Sequence, residues 1–304
     1  MTLPVVGAHE EEEGTLHAIT YESPKSLAQA LSLLATAGEK GRVLAGGTDL
    51  IIQMRAGVRK PEQIVDIKAI PDLQVIAFSA QDGLRLGAAV CCARITEDAV
   101  LKQNYPGLVE AAGLIGSDQI QSRCSLGGNL CNGSPAADTT PALIALGAQC
   151  VIASPKGTRT VPVEQVVTAP GRTVLQPDEI LVEFRIAAPK GHSSDCYQRF
   201  IPRNEMDIAV VGVGAAVTVD GGKFTAARIS LGAVAATPLL AKAAGDSLVG
   251  KSVNDESIAA AAALAQQIAT PITDMRGPAE YRTHLVGVLT RRVVKEAVNR
   301  ASAK

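Results

Sequence analysis

Hydrophobic residues near the start of the chain recur at helical spacing. Leu27, Leu31 and Leu34 fall on one face of a helix, because residues three and four apart lie one above the other. Ser23-Pro24 precedes them with a preferred N-cap residue and a proline suited to the first turn. Gly38 follows the last apolar position, where glycine often ends a helix. The pattern therefore predicts a first helix that begins at Ser23-Pro24 and ends at Gly38.

Short apolar runs then alternate with helical segments. The pattern predicts a strand at residues 42–45, a short helix at 50–56 and a strand at 62–67. Two alternating runs follow on either side of Asp82-Gly83, a dipeptide typical of tight hairpin turns. This stretch therefore predicts a mixture of short helices and strands.

The next segment is helical and then rich in glycine. Thr96 is predicted to cap a short helix, and residues 108–114 form a second helical patch. Residues 127–138 are expected to form a loop that leads into a helix at 141–146 and a strand at 149–153. This loop carries the second of two adjacent glycine pairs in the first half of the chain.

The pattern changes after about residue 176. Strands are predicted at residues 179–186 and 196–200, and a long hairpin turns at Asp220-Gly221-Gly222. The remaining helices are predicted at residues 238–249, 255–269 and 278–301. The chain is therefore predicted to be an α+β protein with a smaller sheet-plus-helices domain at its C-terminus.

Composition and charge narrow the class of protein. The formal net charge is −1, with 29 basic and 30 acidic residues, which gives no electrostatic case for nucleic-acid binding. The longest apolar run, residues 209–219, is shorter than the ~20 residues of a membrane span. The start of the chain does not have the pattern of a signal peptide, and its run of glutamates at 10–13 predicts a flexible tail over residues 1–16.

Six cysteines occur without a Cys-x-x-Cys spacing. In a chain of this size without a signal peptide, reduced thiols are expected, so we predict a cytoplasmic protein with no metal site.

Two segments match nucleotide-binding motifs, but the elements predicted on either side of them are not those that the motifs require. Residues 245–252 match the P-loop pattern, but a helix leads in and a loop follows, whereas a P-loop needs a strand before it and a helix after it. We therefore predict a turn between helices with Gly250 just past the end of the first. Residues 212–217 begin like a dinucleotide-binding fingerprint but continue as a strand, so we expect small residues packed in a sheet.

Two glycine pairs have the context that those motifs lack. Gly46-Gly47 follows a predicted strand, and Gly127-Gly128 precedes a predicted helix. Glycine permits positive φ and close approach of the backbone to a ligand, so consecutive N–H groups can surround phosphate oxygens. Taken singly, each pair is better explained as an ordinary turn.

The two pairs together resemble the flavin-binding signatures of one family. The segments "AGGTDL" (45–50) and "SLGGNLCNGSPAADTTPALIALGA" (125–148) are similar to those of the FAD-binding medium subunits of molybdenum hydroxylases, the xanthine dehydrogenase and carbon monoxide dehydrogenase type. Similarity continues in order through "TYESPKSLAQALSLL" (20–34), "PDEILVEFRI" (177–186), "YQRFIPRNEMDIAVVGVGAAV" (197–217) and "RGPAEYRTHLVGVLTRR" (276–292).

The resemblance implies a two-subdomain FAD-binding domain like that of p-cresol methylhydroxylase and vanillyl-alcohol oxidase. It would span residues 17–190, with subdomains at about 17–70 and 71–190, before a C-terminal domain at 191–304. The cofactor would be non-covalent FAD. Its phosphates would bind to the backbone of the two signatures: Val43, Leu44, Ala45, Gly46, Gly47, Thr48, Asp49, Leu50, Ser125, Leu126, Gly127, Gly128 and Asn129.

The resemblance also implies roles for five residues outside these two backbone segments. Asp138 would accept hydrogen bonds from sugar or ribityl hydroxyls, although a helix N-cap explains it too. Leu181 would pack beside the cofactor, although a core strand residue explains it equally well, and Ile115 stands where some relatives place an aromatic residue. Arg199, and less directly Tyr197, would tune the flavin, because a cation near its pyrimidine edge stabilises the reduced form.

The family assembles with a small iron–sulfur subunit and a large molybdenum subunit, as a dimer of heterotrimers (a heterohexamer). The resemblance therefore implies that this chain accepts electrons from [2Fe-2S] clusters of a partner and passes them to NAD+, a quinone or another acceptor. A stand-alone FAD-dependent oxidase or reductase of the same fold is the first alternative, and a nucleotide hydrolase using Lys251 is the second. The four-cysteine insertion of one branch of the family is not recognisable here, and Cys124 and Cys131 do not have two further partners.

Overall fold

Three parallel strands open the computed structural model, which describes residues 18–304. The predicted tail at 1–16 lies outside the described residues. The strands are β1 (Thr20–Glu22), β2 (Gly41–Leu44) and β3 (Gln63–Asp66), in the order β1-β3-β2. Helix α1 (Leu27–Ala37) connects β1 to β2, and α2 (Leu50–Arg55) connects β2 to β3. This arrangement brings the ends of β2 and β3 to one edge of the sheet.

The start of α1 differs from the prediction, whereas its end at Gly38 is confirmed. The helix begins after Ser26, whose hydroxyl accepts from the N–H of Gln29 at 3.3 Å, so the cap predicted at Ser23-Pro24 is wrong. Ser26 and Gln29 have the spacing of a capping box, and the Gln29 side chain accepts from the N–H of Lys25 at 3.2 Å. These two bonds favour the later start.

A second, five-stranded antiparallel sheet follows. Its order is β4-β5-β10-β6-β7. A separate two-stranded hairpin, β8 with β9, lies between β7 and β10 along the chain. Neither β7 nor this hairpin is among the predicted elements. The bounds are β4 (Ile76–Ser79), β5 (Gly83–Gly87), β6 (Gln149–Ser154), β7 (Gly157–Pro162), β8 (Val167–Ala169), β9 (Arg172–Thr173) and β10 (Ile180–Ile186).

Short helices occupy the chain between β5 and β6. They are α3 (Cys92–Glu97), α4 (Ala99–Asn104), α5 (Pro106–Gly113), α6 (Asp118–Gln121), α7 (Leu126–Cys131) and α8 (Thr139–Ala145).

Two predictions for these helices are wrong. Thr96 lies inside α3 and donates to the carbonyl of Ala93 at 2.9 Å, whereas Asp98 caps α4 by accepting from the N–H of Leu101 at 2.9 Å. The loop predicted at 127–138 begins instead as helix α7, because Ser125 caps the N–H of Gly128 at 3.1 Å.

The C-terminal part is one antiparallel sheet covered by three helices. Strands β11 (His192–Phe200), β12 (Val211–Asp220), β13 (Lys223–Gly232) and β14 (Leu239–Leu240) pair in chain order. Helices α9 (Lys242–Leu248), α10 (Asp255–Gln267) and α11 (Ala279–Ser302) follow. Their apolar faces share a core with β12 and β13. None of the helices in the described part of the chain is long and apolar enough to cross a membrane.

Both nucleotide-binding patterns lie in ordinary structure, as predicted. Residues 212–217 are part of β12. In the P-loop match, α9 ends at Leu248, Gly250 follows with φ +80°, and the N–H of Lys251 donates back to the Leu248 carbonyl at 2.9 Å. The segment is therefore a helix C-terminus rather than a phosphate-binding loop.

A buried carboxylate joins the C-terminal part to the rest of the protein. Asp195 of β11 is 3% exposed and accepts from the N–H of Leu108, in the first turn of α5, at 3.1 Å. Arg300 of α11 donates to the Asp195 carbonyl at 3.1 Å and to the carboxylate of Glu110 in α5. Burial raises the pKa of Asp195 to about 7, although the N–H groups of Gly107 and Leu108 favour its ionised form.

Because residues 245–252 form a helix C-terminus, substitution of the P-loop lysine should have no effect on cofactor content or stability. Lys251→Ala removes an exposed side chain. The hydrogen bond from the backbone N–H of residue 251 to the Leu248 carbonyl remains. We expect unchanged cofactor content and an unfolding midpoint within error of the parent, measured by absorbance and thermal denaturation. Loss of bound cofactor or of activity would favour the nucleotide-hydrolase alternative.

Asp195 predicts a pH-dependent difference in stability. This carboxyl loses its proton near pH 4 in an unfolded chain but near pH 7 in the folded protein. Folding therefore takes up a proton between these values, so the contribution of Asp195 to the free energy of unfolding falls as pH rises from 4 to 7. Asp195→Asn keeps an oxygen acceptor for Leu108 without the charge, and its advantage over the parent should grow across this window and level off above it.

Urea unfolding of the parent, Asp195→Asn and the exposed control Asp220→Asn, at several pH values from 4 to 8, measures this difference. An Asp195→Asn difference that does not change with pH would contradict the assignment of the titrating group.

Candidate functional site

A cleft of about 550 Å³ lies between the first sheet and the second part of the fold. Its walls are the loop after β2, the start of α2, helix α7, the region of β9 and the start of β10. Most of the site residues predicted from sequence line this one cleft: Val43, Leu44, Ala45, Gly46, Gly47, Thr48, Asp49, Leu50, Ile115, Ser125, Gly127, Gly128, Asn129 and Leu181. Leu126 instead points into the core, where it is 1% exposed.

The first glycine pair is required by close packing and by backbone conformation. A Cβ at Gly46 would lie 2.3 Å from the carbonyl oxygen of Arg123, which no side chain can tolerate without movement of the backbone. Gly47 has φ +77°, in the left-handed region that favours glycine. The turn therefore needs both glycines.

Backbone N–H groups of this turn are available for a ligand. Within the described part of the chain, the N–H groups of residues 46–50 donate to no acceptor, whereas the following helix starts with the N–H of Ile51 bonded to the Gly47 carbonyl at 3.0 Å. Adjacent free N–H groups at a turn that leads into a helix form a site for an anion. We call residues 46–50 the anion loop.

The second glycine pair has a different role from the predicted one. Gly127 and Gly128 lie in helix α7, so the expectation of positive φ there is wrong. A Cβ at Gly127 would lie 2.4 Å from the carbonyl oxygen of Ala88, and the Gly127 N–H donates to that oxygen at 3.2 Å. The Asn129 side chain accepts from the hydroxyl of Thr139 at 2.7 Å, which ties α7 to α8. Gly127 therefore allows α7 to approach the backbone directly after β5 closely at the cleft wall.

Charges around the cleft are balanced. Three arginines and three acids line it: Arg42, Arg59, Arg172, Glu39, Asp49 and Glu179. Glu179 is already paired with Arg159, Nη2 to Oε2 at 2.7 Å, and this bond, against the effect of burial, lowers the pKa of Glu179. Partial desolvation raises the pKa of Asp49. The side chains that line the cleft therefore supply at most a small positive charge, to which the backbone dipoles of the anion loop add.

Several residues that line the cleft are not among those predicted from the sequence. The β8–β9 hairpin contributes Gly171, Arg172 and Thr173, and the segment 175–177 extends this wall. Pro170-Gly171 is a dipeptide typical of turns and could have indicated the hairpin. Gln53 of α2 donates to the side chain of Asn132 at 2.8 Å, a contact between distant segments that has no sequence signal.

Asp138, Tyr197 and Arg199 form a separate buried cluster. Asp138 accepts from the Tyr197 hydroxyl at 2.9 Å and from Nη1 of Arg199 at 2.6 Å. Burial raises the pKa of Asp138 to about 6, although Arg199 and Tyr197 oppose this. These three side chains are not among the described residues that line the cleft. Within the same part of the chain, the buried Nε of Arg199 has no acceptor.

Cysteines and acids do not gather as metal ligands. Among the described residues, no group of three or more His, Cys, Asp or Glu side chains is placed to hold a metal ion. The six cysteines are free thiols.

Comparisons with known proteins agree with the fold. The family model "FAD binding domain in molybdopterin dehydrogenase" matches residues 17–189, and "CO dehydrogenase flavoprotein C-terminal domain" matches residues 197–297. The xanthine dehydrogenase FAD-binding subunit of Escherichia coli O157:H7 is 33% identical over 286 residues, 94% of this chain and 98% of that protein. The carbon monoxide dehydrogenase medium chain of Afipia carboxidovorans is 36% identical over 281 residues, 92% and 97% of the two chains.

Solved structures give the same result. A chain of carbon monoxide dehydrogenase from Hydrogenophaga pseudoflava superimposes with a TM-score of 0.90 at 32% identity, covering 94% of this chain and 99% of that one. Reconstituted CO dehydrogenase from Oligotropha carboxidovorans gives 0.90 at 35% identity with the same coverage. The predicted family and the predicted mixed helix-and-sheet fold are confirmed. The chain belongs to the FAD-binding medium subunits of the xanthine dehydrogenase and carbon monoxide dehydrogenase family.

Proposed function

We propose that this chain is the FAD-carrying electron-transfer subunit of a molybdenum hydroxylase complex. The observation that supports it most directly is the anion loop, whose residues line the cleft and whose N–H groups have no acceptor in the described part of the chain. A volume of about 550 Å³ is typical of cofactor pockets. The free N–H groups of residues 46–50 are donors of the kind that bind a pyrophosphate.

Each wall of the cleft has a proposed part in binding. The N–H groups of the anion loop would bind the phosphates, and the hydroxyl of Thr48 would add a donor. Ser125 and Asn129, with Gly127-Gly128 between them, would form the facing wall. Ile115 and Leu181 would supply apolar contact. Bound FAD would supply redox chemistry between one-electron donors and a two-electron acceptor.

The buried cluster of Asp138, Tyr197 and Arg199 would position secondary-structure elements rather than bind the cofactor. Both oxygens of Asp138 already accept hydrogen bonds from the other two. The carboxylate also neutralises Arg199, which weakens any effect of that cation on a flavin. The cluster would fix β11 against the start of α8, with the free Nε of Arg199 as its remaining donor.

The proposed partners are a small subunit with [2Fe-2S] clusters and a large subunit with the molybdenum cofactor, in a cytoplasmic dimer of heterotrimers. The external acceptor would be NAD+ or a quinone. We propose residues 17–190 as the FAD-binding domain and 191–304 as the C-terminal domain. A stand-alone FAD-dependent oxidase or reductase is the alternative.

Gly46→Ala should reduce FAD binding at least tenfold. The added Cβ would meet the carbonyl of Arg123 and push the anion loop away from the facing wall. The matched control is Gly113→Ala, in helix α5, where the Cβ would make an ordinary contact of 3.4 Å with Thr96. Titration of the FAD-free chain by flavin fluorescence measures the affinity, and circular dichroism checks folding. Equal FAD affinity in both variants would show that the turn is not part of the binding site.

Purification of the tagged chain from its native cells tests the electron-transfer role. We expect it to copurify with an iron–sulfur and a molybdenum subunit, and the flavin absorption to be bleached by an organic substrate only in that complex. Turnover of the same substrate by the isolated, FAD-loaded chain would instead support the stand-alone oxidase or reductase.

A further inference from the structure

We propose that Lys68 is a positioning residue for the anion loop, acting through the carbonyl of Ala45; this rests on the proposed FAD site. Its Nζ donates to the Ala45 oxygen at 2.9 Å and to Oδ2 of Asp66 at 2.8 Å. Lys68 is not among the described residues that line the cleft, whereas Ala45 and Gly46 are. Lys68 therefore contacts the loop from outside the cleft and does not contact the ligand.

The ammonium group is held in place by a buried carboxylate. Asp66, at the end of β3, is 6% exposed and accepts from the Tyr21 hydroxyl at 2.5 Å through Oδ2 and from the Lys68 N–H at 3.0 Å through Oδ1. Burial opposes its ionisation, but the bonds from Lys68 and Tyr21 outweigh it and lower the pKa of Asp66. Tyr21 lies on β1 and Ala45 directly follows β2, so this network ties all three strands of the first sheet.

Planarity of the peptide unit transmits this contact to the loop. In a trans peptide the carbonyl and the next N–H point to opposite sides. A bond that fixes the Ala45 carbonyl therefore fixes the direction of the Gly46 N–H. The preceding peptide unit is fixed in the same way, because the N–H of Ile67 donates to the Leu44 carbonyl at 3.0 Å. Two successive peptide units are thus set by residues 67 and 68 before the anion loop begins.

Lys68→Met tests the role of the ammonium group. Without its bonds the Ala45 peptide can rotate, and we expect affinity for FAD to fall roughly tenfold, the size typical of losing a hydrogen bond to a charged group. Lys40→Met is the matched control. It removes an exposed ion pair with Glu62 from the same sheet, Nζ to Oε1 at 2.9 Å, and should leave FAD affinity unchanged.

Comparison of ligands with and without a pyrophosphate distinguishes a positioning role of Lys68 from a general loss of protein stability. Binding of ADP, measured by calorimetry, should weaken in Lys68→Met as much as FAD binding does, because both ligands carry a pyrophosphate. Binding of riboflavin, which has no phosphate, should change less than twofold. Lys68→Arg retains donors for both acceptors and should recover most of the lost affinity.

The outcomes distinguish this inference from the FAD site itself. If the parent chain does not bind FAD, the proposed function fails. If the parent binds FAD and Lys68→Met binds it within twofold, the positioning role is wrong, as it is if riboflavin weakens equally. If Lys68→Met does not fold, the variant Tyr21→Phe tests the positioning role instead. That variant loosens Asp66 while leaving Lys68 in place, so it should weaken FAD and ADP several-fold, and unchanged affinities would refute the role.

Discussion

The cleft depends on two places where backbone meets backbone without an intervening side chain. Gly46 packs against the carbonyl of Arg123, and Gly127 against the carbonyl of Ala88, at distances that leave no room for a Cβ. Both contacts cross between segments far apart in sequence. A carbonyl cannot be displaced as a flexible side chain can, so the first contact sets the distance from the anion loop to the segment before α7, and the second sets α7 against the segment after β5. The cleft width is therefore a property of the backbone.

This constraint also explains why the site does not depend on a cluster of basic side chains. Three arginines and three acids line the cleft, so its side chains supply no large positive charge. Backbone N–H groups supply positive potential that cannot rotate away once the peptide units are fixed. The network of Lys68, Asp66 and Tyr21 performs that fixing outside the cleft. A lysine in this role contributes geometry, since Asp66 neutralises its charge.

Local patterns in the sequence predicted most helices and strands. Contacts between distant segments determine the conformation of Gly127 and the partners of Asp138. The turn at Gly46-Gly47 was predicted because it interrupts a strong apolar pattern. Gly127 was assigned to a loop because glycine is usual there, whereas here it is a helical residue chosen for its contact with Ala88. Asp138 was predicted from the family resemblance, with a helix N-cap as the other explanation. Its partners, Tyr197 and Arg199, are about sixty residues away, and nothing local identifies them.

The buried carboxylates show that the C-terminal part is joined firmly to the flavin-binding part. Asp138 reaches from the start of α8 to Arg199 of β11, and Asp195 of the same strand reaches back to the N–H of Leu108 in α5. Separation of the two parts would leave these groups without the partners that compensate their burial, at a cost typical of broken buried pairs. Helix α8 is in turn bonded to α7 through Asn129. A continuous set of polar contacts therefore extends from the C-terminal sheet to the wall of the cleft, so the C-terminal part helps to hold the site in shape although none of the described residues after Leu181 lines the cleft.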